Sequence, residues 1–205
     1  MISILISTVS LLLSLTVAWV TLCQRGKLCM TQPKLIGFLY DLPGQEPKVF
    51  FRAALYSTGK RGHIVEAVYV KVRCGESAQT FNFWMYGETK ELMIGSGLRV
   101  GEEGVSSNHH FLPPRHASSF EFRAGEYIID AYAAIVNQNA PVLLCTVKLS
   151  LSQEQAAALR DHTKGVIFTW GPDSRCYRGD VLQGPVPYYL RGRPQNVEAP
   201  RETAP

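Results

Sequence analysis

The segment that decides the fold reads IVEAVYVKVRC, from Ile64 to Cys74. In an extended chain, successive side chains point to opposite faces. One face of this segment is apolar and is formed by Ile64, Val68, Val70, Val72 and Cys74. Glu66 interrupts that face, and the opposite face becomes more polar toward Lys71 and Arg73. This pattern is typical of a half-buried strand in an antiparallel sheet.

Alternating apolar segments of the same kind recur along most of the chain. We predict further strands at Lys34–Tyr40, Val49–Tyr56, Thr80–Met85, Glu91–Ile94, Leu98–Val100, Phe120–Arg123, Tyr127–Val136, Val142–Leu151 and Val166–Trp170. One short helix interrupts the series, because Ser152-Gln-Glu-Gln155 has the spacing of a capping box and strong helix formers follow it. Many short strands without regular helical crossovers favour a mainly β fold, an antiparallel β-sandwich.

An apolar segment without any charged side chain opens the chain, from Ile2 to Cys23. As an α-helix with a rise of about 1.5 Å per residue, it spans a hydrocarbon layer of about 30 Å. We therefore predict a single transmembrane helix at residues 2–23, with the lipid bilayer as its partner. A cleaved signal peptide is the main alternative, although no Lys or Arg precedes the segment and bulky residues occupy its far end. A buried helix of a soluble protein is a further alternative.

Basic residues flank only the C-terminal end of this helix. Arg25, Lys27 and Lys34 follow it, and positive charge favours the cytoplasmic side of a membrane. We therefore expect the N-terminus outside the cell and the C-terminal domain in the cytoplasm. The five cysteines lack C-x-x-C spacing and are odd in number, which agrees with a reducing compartment. The opposite topology stays open if these charges only keep a linker soluble.

The chain beyond the helix is long enough for one domain with a respectable core. We expect a juxtamembrane linker at residues 24–33, the β-sandwich at 34–184 and a disordered, proline-rich tail at 185–205. All 21 Lys and Arg residues and all 17 Asp and Glu residues follow the helix and give a formal net charge of +4. Because a nucleic-acid site normally shows a denser basic stripe, we expect no nucleic-acid partner.

The turn between Tyr56 and Val65 contains Ser57-Thr-Gly-Lys-Arg61 and resembles the N-x-G turn between early strands of immunoglobulin-like modules. An N-terminal anchor followed by such a domain also resembles bacterial single-pass membrane proteins of uncharacterised function. The resemblance extends in outline from Lys34 to Trp170, with Ser57 in place of the usual Asn and without the Cys–Trp–Cys pattern of antibody domains. It implies an immunoglobulin-like β-sandwich, a fold whose members perform unrelated tasks.

Three histidines, His109, His110 and His116, fall in the segment 101–118, which we predict to be a long loop. Loops of this length often bind something, and imidazole is a common zinc ligand. The loop is therefore a candidate site for a metal or a small ligand. The spacing of the histidines matches no established ligand set, however, which favours a solvated loop and no bound cofactor.

Motifs for catalysis are weak. Gly95–Gly101 is rich in glycine, but Glu102 and Glu103 follow it where a phosphate site needs the N-terminus of a helix. Neither a G-x-S-x-G elbow nor a P-loop occurs. We therefore predict no catalytic residues and no enzymatic activity.

Aromatic residues provide candidate contacts for a partner protein. If Phe81 and Phe83 face inward, Trp84 faces outward and is available, with Tyr86, to a partner. The alternative is that the helix or the long loop covers this face. Tyr188-Tyr189 is a second candidate docking segment, or simply the last packed part of the domain.

The sequence thus favours a membrane-tethered scaffold, adaptor or accessory subunit that holds a protein partner at the cytoplasmic face. A metal or small-ligand sensor that uses the histidine loop is the alternative. The oligomeric state does not follow from the sequence.

Overall fold

The computed structural model describes residues 1–23, 26–41, 46–88, 91–114 and 120–183. A helix, α1, covers Ile2–Cys23. It is long and apolar enough to cross a membrane, and a signal sequence near an N-terminus has the same character. Its segment Ile2–Trp19 is not buried against the rest of the protein. Hydroxyl groups in α1 donate to the carbonyl four residues earlier, as Ser7 does to Ser3 at 2.9 Å, so they need no water.

The described residues form thirteen strands, numbered in chain order. They are β1 (Leu28–Met30), β2 (Leu35–Asp41), β3 (Glu46–Ser57), β4 (His63–Cys74), β5 (Ser77–Phe81), β6 (Phe83–Glu88), β7 (Glu91–Ile94), β8 (Leu98–Val100), β9 (Val105–Leu112), β10 (Gly125–Ile135), β11 (Val142–Leu151), β12 (Val166–Gly171) and β13 (Cys176–Val181). A short helix, α2 (Gln153–Leu159), lies between β11 and β12. The paired strands run antiparallel, so the predicted mainly β, antiparallel fold is confirmed.

The strands form two sheets. The larger sheet has eight strands in the order β13-β12-β2-β3-β9-β6-β7, with β1 also paired to β3. The smaller sheet has five strands in the order β11-β10-β4-β5, with β8 also paired to β4. Strand β1 pairs with Leu55–Ser57 of β3, and β2 pairs with Glu46–Arg52 of the same strand. Strands β1 and β2 therefore follow each other along one side of β3.

One hydrophobic core takes side chains from both sheets. Phe38 and Phe51 enter it from the larger sheet, Val70 and Ile129 enter it from the smaller sheet, and none of the four has exposed surface. Phe38 also stacks on Phe122 with 4.4 Å between the ring centroids. Because burial of each such side chain is worth about 1.5–3 kcal/mol, this shared core is the main interaction that holds the two sheets together.

The predicted capping box is confirmed at the start of α2. The Ser152 hydroxyl accepts a hydrogen bond from the Gln155 N–H at 3.1 Å, and Gln155 Oε1 accepts one from the Ser152 N–H at 2.9 Å. Gln155 Nε2 also donates to the carbonyl of Gly179 in β13 at 2.6 Å. This contact fixes the short helix against the end strand of the larger sheet.

The segment Thr80–Met85 is not the single strand that the alternation predicts. Strand β5 belongs to the smaller sheet and β6 to the larger, and Asn82 lies between them. Because the chain changes sheets at Asn82, Phe81 and Trp84 are both buried in the shared core. Phe83 instead faces outward and is 42% exposed. The predicted orientations of Phe83 and Trp84 are therefore wrong.

Three strands lie outside those that the sequence predicts. Strand β1 falls in the predicted linker 24–33, β9 falls in the predicted loop 101–118, and β13 follows the last predicted strand. Conversely, Phe120–Arg123 forms no strand, although Phe122 is buried. The predicted tail at 185–205 lies outside the described residues.

Candidate functional site

Trp84, the predicted partner contact, lies in the core. Its side chain is 3% exposed, and its indole stacks on the half-buried ring of Tyr86 at 4.8 Å between centroids. Gly95 approaches the indole so closely that a Cβ at this position would lie 1.9 Å from Trp84 Cε3. Trp84 therefore has almost no surface for a partner. The other candidate contacts, Tyr188 and Tyr189, lie outside the described residues.

The predicted histidine loop is wrong at 105–112, which form strand β9. His109 and His110 lie in β9 with no exposed surface, and His116 lies outside the described residues. Because neighbours in a strand point to opposite faces, His109 enters the core and His110 faces the outer side of the larger sheet. In the described part of the chain, no three His, Cys, Asp or Glu side chains form a group that could hold a metal ion.

His109 is held by two polar neighbours. The Nε1–H of Trp84 donates to His109 Nδ1 at 3.3 Å, and His109 Nε2 lies 3.3 Å from the Ser107 Oγ. An indole nitrogen can only donate, so Nδ1 carries no proton and Nε2–H donates to Ser107. Burial lowers the pKa of His109 to about 4, opposed by a hydrogen bond to the backbone of Ala53. The neutral ring is therefore a polar link between β6 and β9 inside the core.

His110 has a different environment on the outer side of the larger sheet. Its ring meets Phe50 edge-on at 5.1 Å between centroids, and Met85 lies opposite it on β6. Both ring nitrogens are buried, and neither has a hydrogen-bond partner among the described residues. Burial lowers the pKa of His110 to about 2, with a further lowering by the charges of Lys48 and His109. The imidazole is therefore neutral at neutral pH.

Lys48 and Asp41 share this outer side of the larger sheet. They lie on the adjacent strands β3 and β2 and are 1% and 2% exposed. Burial lowers the pKa of Lys48 to about 8, and the negative charge of Asp41 opposes the shift. A lysine with a lowered pKa is a feature of some catalytic sites, but structural charge pairs show it as well. Because both side chains are closed off from solvent, we assign them to the packing of this face.

Exposed apolar side chains lie at one end of the larger sheet, on β6 and β7. Phe83 is 42% exposed, Met93 55% and Ile94 69%. We call these three residues the apolar edge. Ile94 pairs with Met85 and so shares the outer side with Phe83, whereas Met93 pairs with Tyr86 on the other side. Strand β7 is the last strand of this sheet in the described part of the chain.

The sequence holds a signal for the apolar edge that the prediction missed. Glu91–Ile94 is correctly predicted as a strand, but its place at the end of a sheet does not follow from a local pattern. Met93 and Ile94 are consecutive, so a strand places one on each face. A strand of only four residues with large apolar side chains on both faces favours a place at the end of a sheet. At such a place at least one of these side chains is not covered by other parts of the protein.

Comparisons with known proteins give only a weak similarity of fold. No protein-family model matches the chain, and no curated protein matches it. A solved structure with some similarity is that of the CooA pilin subunit from enterotoxigenic Escherichia coli. The match covers 59% of this chain and 94% of the pilin, with 8% sequence identity and a TM-score of 0.30. Similarity at this level carries no argument about function. The class of the protein therefore rests on its fold: antiparallel sheets, mainly β, with an apolar N-terminal helix.

Proposed function

We propose that this protein is a membrane-tethered, non-enzymatic adaptor that holds a protein partner beside the cytoplasmic face of a membrane. The anchor is α1, whose segment Ile2–Trp19 is apolar and unburied. An α-helix satisfies the hydrogen bonds of its own backbone, so an apolar helix of this length is suited to the interior of a bilayer. Arg25, Lys27 and Lys34 follow the helix and favour a cytoplasmic position for the β domain.

We also propose that the two sheets form an immunoglobulin-like sandwich. The support is Tyr127, which is buried at the start of β10. Its hydroxyl donates to the Arg123 carbonyl at 2.6 Å and accepts from the Arg123 N–H at 2.8 Å. A tyrosine that bonds in this way to the backbone a few residues upstream is a recurrent feature of that fold, the tyrosine corner.

The observation that carries the adaptor proposal is the apolar edge. The edge of β7 that faces away from β6 offers backbone donors and acceptors to an extended segment of a partner, which adds as a further strand. Phe83 and Ile94 then contact side chains on one face of that segment, and Met93 contacts those on the other. Proteins commonly protect a sheet edge with charge, proline or a bulge. Strand β7, the last strand of this sheet among the described residues, begins with one charged residue, Glu91, and ends on two apolar ones.

The buried positions of the titratable groups favour a role without catalysis. His109, His110 and Lys48 have almost no exposed surface, so a substrate does not reach them. The side chains of the apolar edge, in contrast, are 42–69% exposed among the described residues. Binding rather than chemistry is therefore the function that this surface supports.

A photo-crosslinking experiment in native membranes tests the adaptor proposal. Benzoylphenylalanine replaces Ile94 in the full-length protein, and a matched control carries it at Thr169, an exposed position on β12 of the same sheet. We expect a discrete adduct with one protein from position 94 and none from position 169. Adding Phe83→Asp should abolish the adduct. If position 94 gives no adduct, or the same adducts as position 169, the adaptor proposal fails.

Protease access in sealed vesicles tests the orientation separately. With the cytoplasmic side outward, we expect added protease to digest the β domain. With the cytoplasmic side inward, the domain should stay intact until detergent opens the vesicles. The reverse pattern would place the domain outside the cell.

A further inference from the structure

Gly26 and Lys27, shortly after α1 in the chain, fix one end of the β domain. The Lys27 N–H donates to the Thr58 Oγ1 at 2.7 Å, and the Thr58 N–H donates to the Lys27 carbonyl at 2.9 Å. Gly26, with φ +69°, lies so close to Gly59 that a Cβ at position 26 would be 2.4 Å from the Gly59 nitrogen. The turn 57–62 is therefore held beside the start of the β domain.

Chain length limits how far this turn can lie from the end of α1. Positions 23 and 26 are three residues apart, so the chain between them spans at most about 11 Å. The polar layer on each side of a bilayer is about 5–8 Å thick. If α1 spans the membrane as proposed, Gly26 and the turn packed on it lie within or directly beside the headgroups.

A cleft of about 350 Å³ opens at this end of the domain. Arg61 follows the turn tip, Arg99 lies on β8, and both are exposed in the lining of the cleft. Ile64 and Val136 also line it and are 49% and 37% exposed. The cleft thus combines two guanidinium groups with two unburied aliphatic side chains.

The charge that faces the cleft is positive. Among its described lining residues there are two arginines and no carboxylate. Lys27 and Lys60 are exposed nearby. The neighbouring carboxylates of Glu66, Glu102 and Glu103 are exposed as well, but they do not line the cleft.

We propose that this cleft binds the phosphate group of an anionic phospholipid, an inference that rests on the proposed anchoring by α1. Arg61 and Arg99 donate hydrogen bonds to phosphate oxygens, for which the planar guanidinium is well suited. Ile64 and Val136 contact the less polar region below the headgroup. The cleft therefore fixes which side of the domain faces the membrane, which a single helix does not determine.

Amide hydrogen exchange of the full-length protein in lipid nanodiscs tests this inference. One set of discs contains phosphatidylcholine alone, and the other also contains phosphatidylglycerol. Each basic residue near an anionic surface strengthens the binding of a protein to that surface roughly fivefold. We therefore expect amides at 58–64, 98–101 and 135–138 to exchange at least about fivefold more slowly in the anionic discs. The double variant Arg61→Gln/Arg99→Gln should lose this protection. The matched control Arg178→Gln, exposed on β13, should keep it.

Each other outcome contradicts a defined part of the inference. Equal exchange in both lipids, or protection that survives in the double variant, overturns the cleft as the binding site. Equal protection by inorganic phosphate added to the neutral discs shows a site for a soluble anion and not for a lipid. If the protein does not copurify with discs at all, the anchoring by α1 fails and the inference falls with it, so the two failures are distinguishable.

Discussion

Trp84 on β6 and His109 on β9 are joined inside the core by a hydrogen bond of 3.3 Å between Nε1–H and Nδ1. The bond sets the tautomer of His109, because the proton of the neutral ring must then lie on Nε2, toward Ser107. Both rings are buried, so water does not replace a lost partner. Trp84 therefore stabilises the interior of the larger sheet and does not serve as a surface contact.

Substitution of Trp84 by Phe should lower the free energy of unfolding by about 2–3 kcal/mol. The change removes buried volume and leaves His109 Nδ1 without its donor. Urea denaturation of the full-length protein in mild detergent measures the effect. Phe83→Leu is the matched control, and because Phe83 is exposed we expect a change within about 0.5 kcal/mol. Equal losses in the two variants would contradict the buried position of Trp84.

The two buried histidines should make the protein less stable in acid. Their folded pKa values, about 4 for His109 and about 2 for His110, lie below the ordinary value of 6.5. Below pH 6.5 the unfolded chain therefore binds protons that the folded protein does not. The free energy of unfolding consequently decreases as the pH is lowered. Each histidine contributes a slope of up to about 1.4 kcal/mol per pH unit between pH 6.5 and its folded pKa.

Unfolding free energies measured from pH 7 down to pH 4 check this dependence. The carboxyl groups also titrate in acid, so the quantity to compare is the slope of the wild type against that of His110→Leu. We expect a slope near pH 5.5 that is smaller in the variant by about 1.2 kcal/mol per pH unit. Identical slopes would mean that His110 becomes protonated in the folded protein.

His110→Leu should also raise stability at pH 7 by about 1–2 kcal/mol. The substitution removes two buried nitrogens that lack hydrogen-bond partners among the described residues and places an aliphatic side chain beside Phe50. The neighbouring variant His109→Leu is the control, since it deprives Trp84 and Ser107 of their partner and should be destabilising. Thermal unfolding in detergent measures both. A loss of stability in both variants would indicate that His110 has a partner beyond the described residues.

The strands could be predicted where an alternating pattern is long and uninterrupted. Val142–Leu151, with 10 residues, is predicted with its observed bounds. At the N-terminal end of β4 the predicted apolar face is wrong, because it includes Ile64. The register with β10 shifts near Glu66, so Val65 turns into the core and Ile64 is left 49% exposed. A β-bulge reverses the face to which the residues beyond it point. An alternating sequence pattern does not show where such a bulge occurs.

Strand β9 could not be predicted because its strand conformation depends on its neighbours. Its sequence VSSNHHFL places polar side chains on both faces. It forms a strand because β3 and β6 pair with it on either side, which supplies its backbone hydrogen bonds. The same pairing buries His109 and His110. The wrong prediction of a loop at 101–118 therefore also led to the wrong prediction of accessible histidines. The position of a segment within a sheet is a property of the whole fold.

Asp130 should be a measurable source of stability on the outer side of the smaller sheet. Its carboxylate accepts hydrogen bonds from Arg73 at 2.6 Å and from Thr146 at 2.7 Å, and so joins three neighbouring strands. Asp130→Ala should lower the free energy of unfolding by about 1–2 kcal/mol, a modest figure because Arg73 is half exposed. Glu121→Ala is the control, since its 3.9 Å pair with Arg123 is exposed on both sides. Urea denaturation that gives the same loss for both would contradict a special role of Asp130.

Gly95→Ala tests how tightly the chain packs around Trp84. A Cβ at position 95 would lie 1.9 Å from Trp84 Cε3, and the Gly95 N–H is already fixed by a hydrogen bond of 2.9 Å to the Trp84 carbonyl. The indole or the backbone must move, so we expect a loss of about 2–3 kcal/mol in the free energy of unfolding. Gly101→Ala is the matched control, because its Cβ would meet no atom within 4 Å. If both variants unfold at the same urea concentration, the indole does not occupy the position beside Gly95, and Trp84 becomes available again as a contact for a partner.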